Sequence, residues 1–200
     1  PFILSILLSA IFIYILEIYQ NQHKNRLYFL PLIMILWVNG HGGFIIGFIF
    51  IAIYAFSNFI QWIQTKPHYT SFKNWIQSGP SSKFGMLVKY GTLSALASLI
   101  NPGGISILLY PFQNVGVKST QIFIEEWQSP NFHQTIYWPF AILLFLIFVS
   151  VATSAKKISL LDFLLITFWS GMSLWSARNL PQFSLVSVLI ISRYISIRLI

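Results

Sequence analysis

Few side chains in this sequence could do chemistry, because only four of its 200 residues are acidic and none is cysteine. Two of the acidic residues, Glu125 and Glu126, are adjacent. On a helix, adjacent side chains point about 100° apart, so these two can hardly form a carboxylate pair. One of them could serve as a general base, a metal ligand or the partner of a cation, while the other faces water. A solvated acidic end of an interfacial helix is the alternative.

Arg178 is a further candidate, in the string SLWSARNLPQF, where Asn179 and Pro181 indicate that a helix breaks. An arginine guanidinium is a fork-shaped donor that matches a phosphate or a carboxylate. An arginine at the end of an apolar run can also anchor a helix at the membrane interface. The break in the helix favours anion binding over the anchor.

The string WVNGHGGF, residues 37–44, places Asn39 and His41 among three glycines. Glycine permits close backbone approach, so the string could form a niche in which both side chains contact a polar ligand. A tight turn between two helices with a hydrogen-bonded histidine is the alternative. Gly43 and Gly47 form a GxxxG pattern, which indicates close helix packing rather than a site.

The longest polar stretch, residues 101–138, holds the remaining candidates. Asn101 begins the turn signature NPGG and needs no role beyond ending a helix. Tyr110, Phe112 and Trp127 flank a segment that could lie in the interface plane, where aromatic rings prefer to sit. The polar and aromatic candidates for substrate binding are Arg178, Asn39, Asn101, Trp127 and Tyr110.

The candidates for catalysis are Glu126, Glu125 and His41. His133 follows Glu126 at a distance that could let it approach the carboxylate, but no ligand spacing is regular, so the signal for a metal is weak. We therefore name no cofactor and keep a divalent metal as the one candidate.

The composition indicates a membrane protein, since 56% of the residues are hydrophobic and only 8% are charged, against about 25% charged in a soluble domain. The formal net charge of +8 comes from basic residues that lie singly or in pairs beside apolar runs. This pattern indicates membrane topology and a lipid-bilayer partner rather than nucleic acid. Because the sequence starts at Pro1 inside one apolar run and stops at Ile200 in another, we expect a fragment of a longer chain.

Seven apolar runs, most of roughly 15 to 20 residues, come close to the length that crosses a ~30 Å hydrocarbon layer. Backbone groups in lipid must be satisfied internally, and the runs lack the alternation of barrel strands, so we predict helices. The runs are 2–19, 27–38, 44–62, 84–100, 138–151, 160–175 and 183–197. The fold prediction is an all-α polytopic transmembrane helical bundle of about seven visible spans, forming a single transmembrane domain over residues 1–200.

The distribution of lysine and arginine predicts the orientation, because cytoplasmic loops are enriched in both. If the first span runs inward, nine basic residues are inner, two are outer, and Lys89 lies near the inner end of its helix. The inner residues are Lys24, Arg26, Lys66, Lys73, Lys83, Lys156, Lys157, Arg193 and Arg198, and the outer ones are Lys118 and Arg178. The segments 39–43, 101–138 and 177–181 are therefore predicted to be extracytoplasmic.

On the inner side, segment 64–83 is predicted to be a linker with turn residues. Glu17 and Asp162, near the inner ends of their helices, are predicted to be interfacial or paired with Lys24 and Lys157.

The second predicted span is short, since residues 27–38 give only about 18 Å at ~1.5 Å per residue. Either the helix recruits residues 24–26 at its inner end, or residues 39–43 lie below the outer surface. Irregular backbone at that depth survives where it lines a protein or water-filled cavity. We favour the second interpretation.

Four motifs, taken in order, carry a resemblance to a family. They are WVNGHGGF followed by a span, NPGG with YPF at 110–112, EWQSPNF at 126–132 and RNLPQF at 178–183. The chain resembles a group of uncharacterised bacterial multi-pass proteins that are regarded as similar to the GT-C class of membrane glycosyltransferases. The resemblance covers nearly the whole chain and implies a GT-C-like bundle in the bacterial inner (plasma) membrane.

GT-C enzymes use a polyprenyl-phosphate-linked sugar donor on the outer face, with an acidic residue of the first outer loop as base or metal ligand. Basic residues lie near the lipid phosphate. No position here matches the first-loop acidic motif, which would lie before Pro1. The resemblance implies that Arg178 contacts the phosphate, whereas Glu125, Glu126 and His41 fit only the general picture of an outer-face cavity.

The leading hypothesis is sugar transfer from a polyprenyl-phosphate donor to an extracytoplasmic acceptor. Arg178 would hold the donor phosphate, Asn39 and His41 would line the cavity, and Glu126 would bind the acceptor or assist proton transfer.

Acyl transfer is a second enzyme hypothesis, because a membrane-embedded Asn and His pair is similar to that of membrane-bound O-acyltransferases, with His41 as the base. A non-enzymatic transporter or assembly subunit is the third. It predicts broken helices near mid-membrane and repeated halves, and the sequence shows no repeat.

Overall fold

The computed structural model describes residues 2–22, 24–64, 71–79, 81–111 and 124–195. Within these ranges the chain is helical and contains no β-strand, which confirms the all-α part of the fold prediction. Phe112, Lys118, Lys66 and Arg198, which the sequence analysis assigned to loops and interfaces, lie outside the described residues.

Each of the seven predicted spans contains a helix. The α-helices are α1 Phe2–Gln22, α2 Phe29–Gly40, α3 Ile45–Gln64, α4 Phe72–Ser78, α5 Lys83–Ser98, α6 Trp138–Thr153, α7 Leu160–Trp175 and α8 Leu180–Tyr194. Short 3₁₀ turns cover Gly42–Phe44, Gly104–Leu108, Glu125–Trp127, Thr135–Tyr137 and Ala177–Asn179.

Three of these helical stretches are long and apolar enough to cross a membrane. They are Phe2–Gln22, Gly42–Gln64 and Thr135–Thr153, with 21, 23 and 19 residues. α2 and α7 are apolar but shorter. The chain therefore has the helices of a membrane protein, whereas seven complete crossings and a GT-C-like arrangement stay predictions.

The chain forms two compact units, a first unit of residues 1–116 and a second unit of residues 117–200. In the first unit, Ser5 of α1 lies against His41 at the end of α2. At the opposite end, Lys83 at the start of α5 donates a hydrogen bond to the backbone oxygen of Gln20 near the end of α1. We call these two ends the His41 end and the Lys83 end.

Close packing in the first unit depends on a glycine. A Cβ atom on Gly47 of α3 would lie 2.9 Å from the Phe12 ring, 3.0 Å from Met34 Cε and 3.1 Å from the Trp37 ring. Phe12 and Trp37 meet edge to face at 5.4 Å and are fully buried. The predicted role of the GxxxG pattern in close helix packing is thereby confirmed.

In the second unit, α8 packs against both α6 and α7. Phe140 and Phe183 meet edge to face at 4.9 Å between α6 and α8. α6 and α8 each begin with a proline in the first turn, Pro139 and Pro181, where the missing N–H costs no helical hydrogen bond.

Two expectations for the inner segments are corrected. The predicted linker 64–83 contains the helix α4, whose Trp75 stacks on Trp62 at 4.5 Å. Asp162 pairs with Arg193 rather than with Lys157, because its position in the first turn of α7 faces the last turn of α8.

Asp162 is buried and is held by three groups. Besides Arg193, it accepts hydrogen bonds from the Ser159 hydroxyl over 2.8 Å and from the Tyr194 hydroxyl over 2.7 Å. Glu17, predicted to be interfacial or paired with Lys24, accepts hydrogen bonds from the Tyr54 hydroxyl and from the Asn21 amide.

Candidate functional site

The candidate residues fall into two groups, one in each unit. Arg178, Glu126 and Trp127 lie together in the second unit, and we call them the Arg178 cluster. In the first unit, His41 and Asn39 lie with Asn101 at the His41 end.

The turn that carries Arg178 is built by the end of α7. α7 ends at Trp175, and a 3₁₀ turn over Ala177–Asn179 leads into α8. The Asn179 amide donates to the backbone oxygens of Met172 and Ser176, over 2.9 and 3.3 Å. Asn179 thereby adds a side-chain hydrogen bond to two carbonyl groups that also accept from the backbone N–H groups of Ser176 and Asn179.

The chain around Glu126 is fastened to this turn by three hydrogen bonds. The Ala177 N–H donates to the Gln128 oxygen over 2.9 Å, and the Ser176 hydroxyl donates to the Glu126 backbone oxygen over 3.0 Å. The Ser129 hydroxyl donates to the Trp175 oxygen over 3.2 Å. These bonds set the distance of Arg178 from Glu126 and Trp127.

The Arg178 guanidinium lies over the Trp127 ring, with 4.6 Å between its central carbon and the ring centroid. Its Nη1 is 3.7 Å from Glu126 Oε1. The Arg178 and Glu126 side chains are 32% and 51% exposed, so solvent reaches both. The arrangement is a solvent-accessible cation that stacks on an aromatic ring and forms an ion pair with a carboxylate at 3.7 Å.

Glu125 is exposed at the start of the same 3₁₀ turn. Glu126 is the partner of a cation and Glu125 is exposed, which is one of the arrangements that the sequence left open. His133 is exposed, and its N–H donates to Asn131 Oδ1. Among the described residues, no group of three or more His, Asp or Glu side chains could hold a metal ion.

His41 belongs to a chain of hydrogen bonds that starts in the core. The Trp37 indole N–H donates to Ser5 Oγ over 2.8 Å, and Ser5 Oγ lies 2.6 Å from His41 Nδ1. His41 Nδ1 also accepts from the Gly43 N–H over 3.1 Å, so it is the unprotonated nitrogen of a neutral ring. The Ser5 hydroxyl is therefore the donor in its hydrogen bond to His41 Nδ1.

Ser5 is only 1% exposed, which distinguishes this arrangement from an accessible nucleophile and its base. The network fastens the turn after α2 to the first helix. This is the hydrogen-bonded turn that was the alternative to a binding niche at His41.

Asn39 and Asn101 meet at the same end and join α2 to the segment after α5. The Asn39 amide donates to the backbone oxygens of Ile35 and Ile100, each over 2.8 Å. The Asn101 amide donates to Val38 O over 3.2 Å and to Asn39 Oδ1 over 3.1 Å.

Asn101 Oδ1 also accepts from the Gly103 N–H over 2.8 Å, which stabilises the turn that the sequence predicts. Tyr110 is near as well, because its ring would lie 2.8 Å from a Cβ on Gly42. Both positions are consistent with an ordered turn at the His41 end.

Sequence reasoning missed Ser5, Ser176 and Gln128. Ser5 and Ser176 carry ordinary hydroxyls at the ends of apolar runs, and Gln128 acts through its backbone oxygen, which every residue has. The one signal that the sequence offers for Ser5 is a polar residue within an otherwise hydrophobic run.

No family model matches this sequence, and no match to it is found among the curated proteins or the solved structures.

Proposed function

We propose that the chain is a GT-C-like membrane glycosyltransferase that moves a sugar from a polyprenyl-phosphate donor to an extracytoplasmic acceptor, with Arg178 as the contact of the donor phosphate. The observation that carries the proposal is the accessible Arg178 guanidinium, stacked on Trp127 and 3.7 Å from Glu126. A phosphate on a lipid chain is the anion that a membrane protein meets at such a site.

An incoming phosphate can replace the Glu126 carboxylate as the partner of Arg178 with little loss of free energy. Exposed ion pairs stabilise a protein by only about 0–1 kcal/mol. The 3.7 Å between Arg178 Nη1 and Glu126 Oε1 is also longer than a charge-assisted hydrogen bond. Phosphate matches the guanidinium fork, and Trp127 would hold that fork in place during the exchange.

The exchange would leave the Glu126 carboxylate beside the bound donor. In the proposed reaction, the bond between the anomeric carbon of the sugar and the phosphate oxygen breaks, and the acceptor oxygen bonds to that carbon. The acceptor proton passes to Glu126, and the charge of the leaving lipid phosphate is paired with Arg178.

His41 and Asn39 receive no catalytic step in this proposal. Nδ1 of His41 is engaged by Ser5 and Gly43, and the Asn39 amide is engaged by backbone oxygens. These contacts favour sugar transfer at the Arg178 cluster over acyl transfer with His41 as the base.

Donor binding by an arginine variant tests the proposal. We expect Arg178→Ala to weaken binding of a radiolabelled polyprenyl-phosphate-linked sugar by about tenfold or more, because a hydrogen-bonded charge pair is lost. Arg178→Lys should retain part of the affinity, since it keeps the charge without the fork. Arg26→Ala removes another exposed arginine and is the matched control. Equal binding by the Arg178→Ala and wild-type proteins would contradict the proposal.

The same assay separates the role of Glu126 from that of Arg178. Glu126→Gln removes the competing negative charge, so donor binding should be unchanged or tighter. Transfer of the labelled sugar should fall by about 10²- to 10⁴-fold if Glu126 takes the acceptor proton. Full transfer activity in Glu126→Gln would remove Glu126 from the mechanism and leave Arg178 as the donor contact.

A further inference from the structure

A cavity opens at the Lys83 end of the first unit. Its volume is about 370 Å³, which is within the range of small-ligand pockets. Three residues of the last two turns of α3 and four residues between α4 and the start of α5 line it. They are Asn58, Gln61, Trp62, Ser78, Ser81, Ser82 and Lys83. Six of these seven side chains carry polar groups, whereas most of the surface that faces the cavity is apolar, so the cavity suits a ligand that has both polar groups and a carbon face.

One wall of the cavity is an ordered aromatic surface. The Trp62 ring stacks on Trp75 at 4.5 Å and lies nearly parallel to Phe84 at 5.9 Å. The Trp62 indole N–H donates to Ser78 Oγ over 3.2 Å, and the Trp75 indole N–H donates to the Trp62 oxygen. These contacts hold α4 against α3 and give the cavity a defined shape.

Asn58 lines the cavity and has an acceptor to spare. Its side chain is nine-tenths buried, and its Nδ2 donates to Gln20 Oε1 over 2.9 Å and to Tyr54 O over 2.8 Å. These two bonds fix the amide, and within the described part of the chain Asn58 Oδ1 accepts no hydrogen bond. A ligand hydroxyl is a suitable donor for this oxygen.

Lys83 and Ser81 supply the donors. The Lys83 ammonium donates to the Gln20 backbone oxygen over 2.7 Å, which orients it and leaves two of its three N–H groups. The exposed Ser81 hydroxyl has no hydrogen-bond partner among the described residues. Among the described residues that line the cavity there is no carboxylate and Lys83 is the charged one, so this part of the lining favours an anion.

The position of the cavity favours a membrane lipid as the molecule that carries the anion. α3 belongs to a stretch that is long enough to cross a membrane, and the cavity lies at its last turns, beside two tryptophans. Tryptophan prefers the level of the lipid headgroups, and a lysine there attracts anionic lipids.

We propose that the cavity binds the glycerol-phosphate headgroup of an anionic phospholipid. The phosphate accepts hydrogen bonds from Lys83 and Ser81, a glycerol hydroxyl donates to Asn58 Oδ1, and the carbon face of the headgroup lies on Trp62. This site is separate from the proposed donor site and does not depend on sugar transfer.

Calorimetric titration of the detergent-solubilised chain with short-chain phosphatidylglycerol tests the site. We expect Lys83→Met to weaken binding about tenfold or more, since a charged hydrogen bond is lost. Ser81→Ala should weaken binding severalfold. Because the Ser81 hydroxyl is exposed and makes no hydrogen bond to the described residues, its removal should leave the fold intact, so misfolding would not explain the loss. Lys73→Met, which removes an exposed lysine of α4 outside the cavity, is the matched control.

Four results would overturn the proposal. One is undetectable binding of short-chain phosphatidylglycerol. Another is an equal loss in Lys83→Met and Lys73→Met, which would mean attraction by overall charge alone. The third is equal affinity for free glycerol phosphate, which would replace the lipid with a soluble phosphate ester. The fourth is binding of short-chain phosphatidylcholine at the same affinity, which would exclude both an anionic headgroup and a role for the glycerol hydroxyls.

Discussion

Serine side chains in α1 show how single polar atoms are used in an apolar helix. Ser5 and Ser9 are both buried in the first unit. The Ser5 hydroxyl links the Trp37 indole to His41, whereas the Ser9 hydroxyl has no hydrogen-bond partner in the described structure. The two serines therefore have the same burial and opposite hydrogen-bond status.

This difference predicts opposite effects of the same substitution. Ser5→Ala leaves the fully buried Trp37 N–H without an acceptor, so we expect it to lower the free energy of unfolding by about 1–3 kcal/mol. Ser9→Ala removes a hydroxyl that makes no bond and should be neutral or stabilising. Thermal unfolding of the detergent-solubilised variants measures both. Equal destabilisation by the two substitutions would mean that the Ser5 hydrogen bonds contribute nothing.

At the residue scale, the sequence singled out charged residues but not the backbone groups that position them. Arg178 and Glu126 stand out by charge, and pairing of one glutamate with a cation was among the predictions. The sequence could not predict that the segment around Glu126 packs on the turn after α7, because this contact depends on backbone groups of Ala177 and Gln128. Backbone donors and acceptors are present at every position and leave no pattern in a sequence.

At the scale of elements, α7 and α8 are joined at one end by an ion pair whose carboxylate is buried and whose guanidinium is partly exposed. Asp162 in the first turn of α7 is paired with Arg193 in the last turn of α8, and Tyr194 donates a second bond to the same carboxylate. Buried charge pairs contribute little net stability, but removing one partner leaves the other charge uncompensated. The pair therefore specifies how the two helices align.

We expect Arg193→Met to lower the free energy of unfolding by roughly 3 kcal/mol, because Asp162 is then a buried charge without its cation. The double variant Asp162→Asn with Arg193→Met should recover part of this loss. Lys157→Met removes the partner that sequence reasoning named as one alternative and is the control. Denaturant unfolding of the three variants measures the effects. A larger loss in Lys157→Met than in Arg193→Met would contradict the observed pairing.

The sequence predicted the long helices well, since an uninterrupted apolar run in lipid has few backbone solutions other than a helix. It missed α4, which is short and polar and is held against α3 by Trp62 and Trp75. It also missed the Asp162 partner, because Arg193 lies far away in the chain whereas Lys157 is a near neighbour. Contacts between distant residues depend on helix packing, which composition and spacing do not describe.

At the scale of the whole molecule, the charge count predicts which side of the membrane each loop occupies. In the second unit, exposed Asn131 precedes the stretch Thr135–Thr153, which is long enough to cross a membrane, and exposed Lys157 follows it. The Arg178 cluster is proposed to act outside the membrane, on the Asn131 side. Sidedness therefore decides whether an outer-face donor can reach Arg178.

Labelling of single cysteines tests this central claim most directly, because the sequence contains no cysteine and needs no background substitutions. Asn131→Cys and Lys157→Cys would each be treated with a membrane-impermeant maleimide in intact cells and again after permeabilisation. We predict that Asn131→Cys reacts in intact cells and that Lys157→Cys reacts only after permeabilisation. The reverse pattern would place the Arg178 cluster inside. The same accessibility at both positions would mean that α6 does not cross the membrane, and either result would contradict the account.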